Sequence, residues 1–228
     1  MRALCCSDWP NPPCRSSQTD NATMISAQQA LQQLRDGNRR FVSDNSSHSK
    51  LTHRTSRDEM VAGRAPFAIL LGCSDSRVPT EIIFDQGLGD LFVIRVAGNI
   101  VAPSQMGSVE FAAERFGTRL VVVLGHSQCN AVLTAIEEPE RPTDGRSPNL
   151  AAIVDFIRPS VQSVLQSENR PLPDDLLKQA IRENVRASVS HLRLRSNILR
   201  RLIRENGLIV VGAEYSIATG VVCFFEVP

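Results

Sequence analysis

Four stretches of this chain, 67–72, 91–96, 120–124 and 208–211, are nearly unbroken apolar runs rich in Val, Ile and Leu, and they leave few folds open to it. A strand covered on one face alternates apolar and polar residues, whereas a continuous run of strand length is covered on both. Helical patterns separate most of the runs, which supplies the crossovers that parallel pairing requires. A fifth segment, 221–227, has the same strand character. The expected fold is therefore α/β in a single domain: a central, mostly parallel sheet, four parallel strands plus a C-terminal antiparallel strand, flanked by helices. A chain of 228 residues with 42% hydrophobic content fills one such core without needing a second.

Residues 1–25 contain Pro10, Pro12 and Pro13 followed by a polar run, and are expected to form a disordered tail ahead of a domain spanning 26–228. Ser26 and Gln29 have capping-box spacing, and Ala27, Ala30, Leu31, Leu34 and Phe41 mark one helical face. A second helix is expected over 105–116, with Met106, Val109, Ala113 and Phe116 on one side and Gly117 as its stop. A longer amphipathic pattern runs over 174–204 through Leu177, Ile181, Val185, Leu192, Leu199 and Leu202. Its opposite face, with Lys178, Arg182, Arg186, Arg193, Arg200 and Arg204, reads as a solvated face. The Pro-, Glu- and Gly-rich stretch 137–149 reads as a loop.

Lys and Arg number 25 against 24 Asp and Glu, so no basic excess exists to collect nucleic-acid phosphates. No apolar run approaches the roughly 18 residues of a membrane span, and residues 1–25 lack the apolar core of a signal peptide. A cytoplasmic location is the expectation, and six unevenly spaced cysteines fit a reduced compartment better than a disulfide framework. Cys5, Cys6 and Cys14 are expected to be free thiols on the tail, and Cys223, between Val222 and Phe224, a core thiol. His48, His53 and His191 have no convergent partner visible in the sequence.

The remaining cysteines carry chemistry. Cys73 stands just past the first strand in Gly72-Cys73-Ser74-Asp75-Ser76-Arg77-Val78-Pro79, and His126 and Cys129 just past the third in Gly125-His126-Ser127-Gln128-Cys129. In an open α/β sheet ligands bind outside the carboxyl ends of the strands, so adjacent first and third strands would bring the three side chains together. Two thiolates and one imidazole suit zinc, and three protein ligands leave a fourth tetrahedral position for water, the arrangement of a catalytic site. Asp75 and Arg77 follow at two-residue steps, so an extended segment projects both toward the same side as Cys73. Left alone, Asp75 could take the fourth position; held in a bidentate pair by Arg77, it stays off the metal and can accept a hydrogen bond there.

Cys-Ser-Asp-Ser-Arg-Val-Pro and His-Ser-x-Cys resemble the two signatures of the β-class carbonic anhydrases. The similarity extends to Gly37-Asn38-Arg39-Arg40-Phe41, Phe84-Asp85-Gln86-Gly87-Leu88-Gly89-Asp90-Leu91-Phe92, Arg95-Val96-Ala97-Gly98-Asn99 and Val211-Gly212-Ala213, covering roughly 26–228. The resemblance implies reversible hydration of carbon dioxide to bicarbonate, with one zinc per chain on Cys73, His126 and Cys129 and a catalytic dyad of Asp75 with Arg77. It also implies a homodimer or dimer of dimers whose N-terminal helix embraces the partner. Four positions map to the substrate pocket: Phe92 keeps the family's aromatic, and Phe111 stands where a plant-like branch has Tyr. Arg64 stands where Gln is common, and Asn130 where Gly is usual. Leu70 replaces a Trp of the branch that closes its zinc with the aspartate, although the corresponding Arg is present as Arg95, so an open site with Asp75 on Arg77 is expected at neutral pH.

Two other functions fit the same ligands. One is a zinc hydrolase of carbonyl sulfide or carbon disulfide, which would differ only in the pocket and its access. The other, motivated by Arg64 and Asn130, is a non-catalytic zinc protein that senses bicarbonate or acts in assembly.

Overall fold

The apolar segments become the five strands of one sheet, β1 (Ala68–Gly72), β2 (Leu91–Arg95), β3 (Leu120–His126), β4 (Ile209–Tyr215) and β5 (Val222–Phe225). Their order is β2-β1-β3-β4-β5, the first four parallel and β5 antiparallel to β4, as expected. The computed structural model describes residues 25–45, 65–137, 147–167 and 172–225. The expectations for residues 1–24, for His48 and His53, for Arg64 and for most of the 137–149 loop lie outside the described residues. Every residue of β1 and β3 is buried, which is why neither sequence alternates. Edge strand β2 is only half covered, and its last residue, Arg95, is exposed.

Successive strand residues divide between two core layers, as a period of two demands. Leu70, Val122 and Leu124 pack on one face with Ala27, Ala30 and Leu34 of α1 (Ala27–Val42) and Ile83 of α2 (Thr80–Ile83). Ile69, Leu71, Val121 and Val123 pack on the other with Val109 and Ala112 of α3 (Pro103–Arg115) and with Val185, Val189 and Leu192 of a long C-terminal helix. The capping box at Ser26 and Gln29 forms. On the apolar face of α1, Ala27, Ala30 and Leu34 are buried in the chain's own core, while Leu31 and Phe41 stay partly covered.

Asn38 fastens α1 in place. Its Nδ2 donates to the carbonyls of Ile83 (3.1 Å) and Gly220 (2.9 Å), and its Oδ1 accepts from the N–H of Val222 (2.9 Å). One residue earlier, Gly37 lies so close to the turn after α2 that a Cβ would overlap the Phe84 carbonyl oxygen, which is backbone and has no rotamer to escape into. Gly37→Ala is therefore expected to destabilise the fold by about 3 kcal/mol, the upper end for overpacking, read as a lowered midpoint in urea unfolding. A midpoint within error of the parent would contradict this packing.

Two helical expectations need correction. The 174–204 pattern is two helices, α6 (Pro173–Arg195) and α7 (Asn197–Asn206), broken at Ser196. Ser196 leaves the helical region (φ −98°, ψ 120°), its Oγ accepts from the N–H of Leu199 at 3.0 Å and donates to Glu110 at 2.6 Å, so it caps α7 and ties it to α3. Pro148 and Asn149, read as loop, open an 18-residue helix, α5 (Pro148–Leu165), capped by Ser147. Pro148 occupies the first turn, where its missing N–H costs nothing. Cys223 is also corrected: β5 is an edge strand, and the thiol faces outward, exposed, rather than into the core. The region between α3 and β3 and the short α4 (Asn130–Glu137) complete the chain's path around the sheet.

Candidate metal centre

β1 and β3 are neighbours in parallel register, with Gly72 opposite Leu124, so the segments leaving their carboxyl ends emerge side by side. Cys73 begins the first segment, His126 is the last residue of β3, and Cys129 stands immediately before α4. All three are buried, at 5%, 0% and 2% exposure, and their ligand atoms lie within 4.8 Å of one another. The sharp return from His126 to Cys129 passes through Gln128 at φ +58°, a left-handed conformation uncommon for a residue with a side chain. Ser127 pins that turn to β4: its N–H donates to the Tyr215 carbonyl at 2.9 Å, and its Oγ accepts from Ile217 at 3.0 Å.

The donor set fits a metal ion by its own chemistry. His126 Nδ1 lies 2.9 Å from the Ser127 carbonyl, which can only accept, so the proton is on Nδ1 and Nε2 carries a lone pair. That Nε2 is buried with no hydrogen-bond partner among the described residues, in the same small space as two sulfurs. A fully buried imidazole acceptor facing thiols is costly unless something electrophilic sits between them. The Cys73 thiol is drawn below its usual range, first by the neighbouring Cys129 and then by the N–H groups of Gly98 and Asp75, against the opposing effect of burial. Cys129 is pushed upward by the same pairing with Cys73 and by burial.

Asp75 and Arg77 pair directly. Arg77 Nε donates to Asp75 Oδ1 (2.9 Å) and Nη2 to Oδ2 (2.7 Å), while the Arg77 N–H also reaches Oδ1 at 2.9 Å. The Arg77 guanidinium thereby holds the Asp75 carboxyl far below the ordinary carboxylate range. Arg77 also reaches Gln128, through Nη1 to Oε1 at 3.4 Å and Nη2 to the carbonyl at 3.3 Å, tying the β1 segment to the β3 segment. From the other side Arg95 donates to the carbonyls of Cys73 (2.9 Å) and Asp75 (2.5 Å). No local sequence pattern marks this bracing role of Arg95, which needs β2 to lie beside β1.

The four pocket positions fare differently. Asn130 opens α4 directly after Cys129, with its side chain exposed. Phe92 and Phe111 meet each other (6.3 Å between ring centres) and both meet Phe116, on the face of the sheet covered by α3. In a single chain the aromatics belong to that cluster, and Cys73 and Cys129 to a different one with Ile100, Val132 and Ile157. Phe111 stays 55% exposed. His191 lies against the ring of Phe156, away from the centre.

Fold and site together define a mostly parallel α/β protein with a Cys-His-Cys group able to hold a metal ion at the carboxyl edge of its sheet. Residues 68–222 match the sequence profile of the carbonic anhydrase family. Carbonic anhydrase 2 of Mycobacterium tuberculosis is 35% identical over 195 residues, covering 84% of this chain and 89% of the relative. The β-carbonic anhydrase CcaA superposes with a TM-score of 0.70 at 25% identity, covering 86% of this chain and 88% of the other. Two tetrameric β-carbonic anhydrases of Sordaria macrospora give 0.65 at 25% identity, with coverages of 75% and 87%. The chain belongs to the carbonic anhydrase family, in its β class. Among the described residues no helix is long and apolar enough to cross a membrane.

Proposed function

We propose that this chain binds one zinc ion through Cys73, His126 and Cys129 and hydrates carbon dioxide reversibly to bicarbonate and a proton. The observation that carries this reading is the buried, unpartnered Nε2 of His126 facing two cysteine sulfurs while Asp75, the nearest competing ligand, is engaged by Arg77. Zinc, when bound, supplies the Lewis acidity that turns water into a nucleophile near neutral pH.

The residues of the chain do the rest. Asp75 Oδ1 already accepts two bonds from Arg77, whereas Oδ2 accepts only one, so Oδ2 keeps a lone pair for the attacking water. Because Arg77 keeps the carboxyl ionised, Asp75 orients that water as an acceptor and does not itself deliver a proton. Arg95, through the Cys73 and Asp75 carbonyls, holds ligand and acceptor in fixed relation. The intact dyad favours turnover over a zinc protein that only senses bicarbonate. We further propose a homodimer or dimer of dimers acting in the cytoplasm; the tetrameric Sordaria relatives support assembly.

The test is an oxygen-18 exchange assay between carbon dioxide and water, with zinc measured on the same preparation. One zinc per chain and exchange that disappears on chelation are expected. Stoichiometric zinc without exchange, or faster turnover of carbonyl sulfide than of carbon dioxide, would overturn the assignment of substrate. Light scattering on the same sample reads the assembly.

A further inference from the structure

The 3₁₀ turn Ala97–Asn99, which follows β2, passes directly under the metal centre and presents the N–H of Gly98 to the sulfur of Cys73 at 3.4 Å. A thiolate that accepts an amide hydrogen bond has part of its charge drawn off, and its direction toward a metal is fixed. The turn does not hold this conformation on its own. Gly98 sits at φ +69°, and Asn99 follows at φ +45°, so two successive residues lie in the left-handed region. A side chain at Gly98 would be strained by that φ, and its Cβ would meet Ile157 Cδ1 at 2.6 Å, so Ile157 would have to shift.

Two polar residues of α6 complete the turn from behind. Asn184 Nδ2 donates to the Gly98 carbonyl at 2.8 Å, and Ser188 Oγ donates to the Asn99 carbonyl at 3.1 Å. They are four residues apart, hence on one face of α6, and are buried at 2% and 6% exposure on a helix whose other inward residues, Ile181, Val185, Val189 and Leu192, are apolar. Burying an amide and a hydroxyl in such a face costs stability unless both are bonded, and here each is bonded to the same three-residue turn. An apolar pair would cover the turn equally well without fixing which way its peptides point.

We infer that Asn184 and Ser188 are positioning residues of the metal centre, clamping the Gly98 and Asn99 carbonyls so that the Gly98 N–H stays aimed at the Cys73 sulfur. They touch neither metal nor substrate. The inference rests on the proposed metal site and adds to it a control of ligand donor strength from a helix far along the chain.

Cobalt(II) in place of zinc makes this visible, because its sulfur-to-metal charge-transfer band responds to the charge on the thiolate. Asn184→Leu keeps the size of the side chain and removes the donor, and Ser188→Ala removes the second donor with little change in packing. With the Gly98 N–H released, Cys73 is the stronger donor, so the band is expected to move to lower energy in both variants, further in Asn184→Leu. Zinc affinity by chelator competition is expected to fall roughly 10-fold in Asn184→Leu. Val189→Ala, on the same helix but in the apolar core, is the control: it should lower stability and leave the band where it is. A band unmoved in the folded variants, or moved as far by Val189→Ala, overturns the inference. Should Asn184→Leu not fold, Ser188→Ala decides alone. A parent protein that takes up no cobalt or zinc would overturn the metal reading itself, an outcome distinct from uptake with an unresponsive band.

Discussion

His126→Ala is expected to lose bound zinc and carbon dioxide hydration together, with a rate at least roughly 10³-fold below the parent, because water then remains at its bulk acidity, about nine pK units from that of a catalytic zinc site. The imidazole has no other work in the structure. Its Nδ1 is spent on the neighbouring carbonyl, its Nε2 has no hydrogen-bond partner among the described residues, and the ring is wholly buried. Removing it leaves two cysteines, too few for the soft, three-ligand arrangement that holds a catalytic zinc. Since an ion that binds only the folded chain stabilises it, the parent should unfold at a higher temperature with zinc than after chelation, and the variant should not. Zinc content by mass spectrometry and the two melting curves check this. A His126→Ala protein that keeps one zinc per chain and most of its rate would remove His126 from the ligand set.

What the sequence disclosed and what it hid follow from how far each signal reaches along the chain. β1 and β3 were legible because both faces of each are covered, so the apolar residues run unbroken. The meeting of Cys73, His126 and Cys129 was legible because each lies within three residues of a strand end, and strand ends in a parallel sheet share one edge. The break at Ser196 was hidden because the apolar period of α6 continues in phase into α7, so periodicity gives no warning; only the Ser196 cap marks it. Pro148 and Pro159 disguised α5, the first by resembling a loop residue at a position where helices accept proline, the second by interrupting the interior. Cys223 has apolar neighbours in sequence, but its burial depends on what packs over its face of β5, where it stands opposite Glu214. The clamp from α6 joins residues 86 and 89 apart, a separation no local pattern encodes.

Arg77→Ala is expected to leave zinc in place and lower the hydration rate by roughly 10²-fold, the upper range for loss of a group that orients a metal site from outside it. Three hydrogen bonds tie Arg77 to Asp75, two of them from the guanidinium, and the substitution removes both of those while sparing the N–H bond to Oδ1. The carboxylate then turns freely and competes for the open ligand position that the fork had kept from it. Arg77→Lys should recover only part of the rate, because an ammonium is a point donor and cannot hold both oxygens in one plane. The effect on stability has a definite sign. Asp75 titrates below its unfolded value in the parent, so its contribution is complete above pH ~4 and is lost as the pH falls below that. In Arg77→Ala the largest cause of the depression, the guanidinium, is gone while the N–H bond stays, so the stability gap between parent and variant should be widest near neutrality and narrow steadily as the pH falls below ~4. Denaturant unfolding at a series of pH values reads the gap, and oxygen-18 exchange reads the rate. Parent-like exchange in Arg77→Ala, or a gap that widens as the pH falls, would mean that the pair contributes neither the orientation of Asp75 nor its ionisation, and that the metal centre works without a dyad.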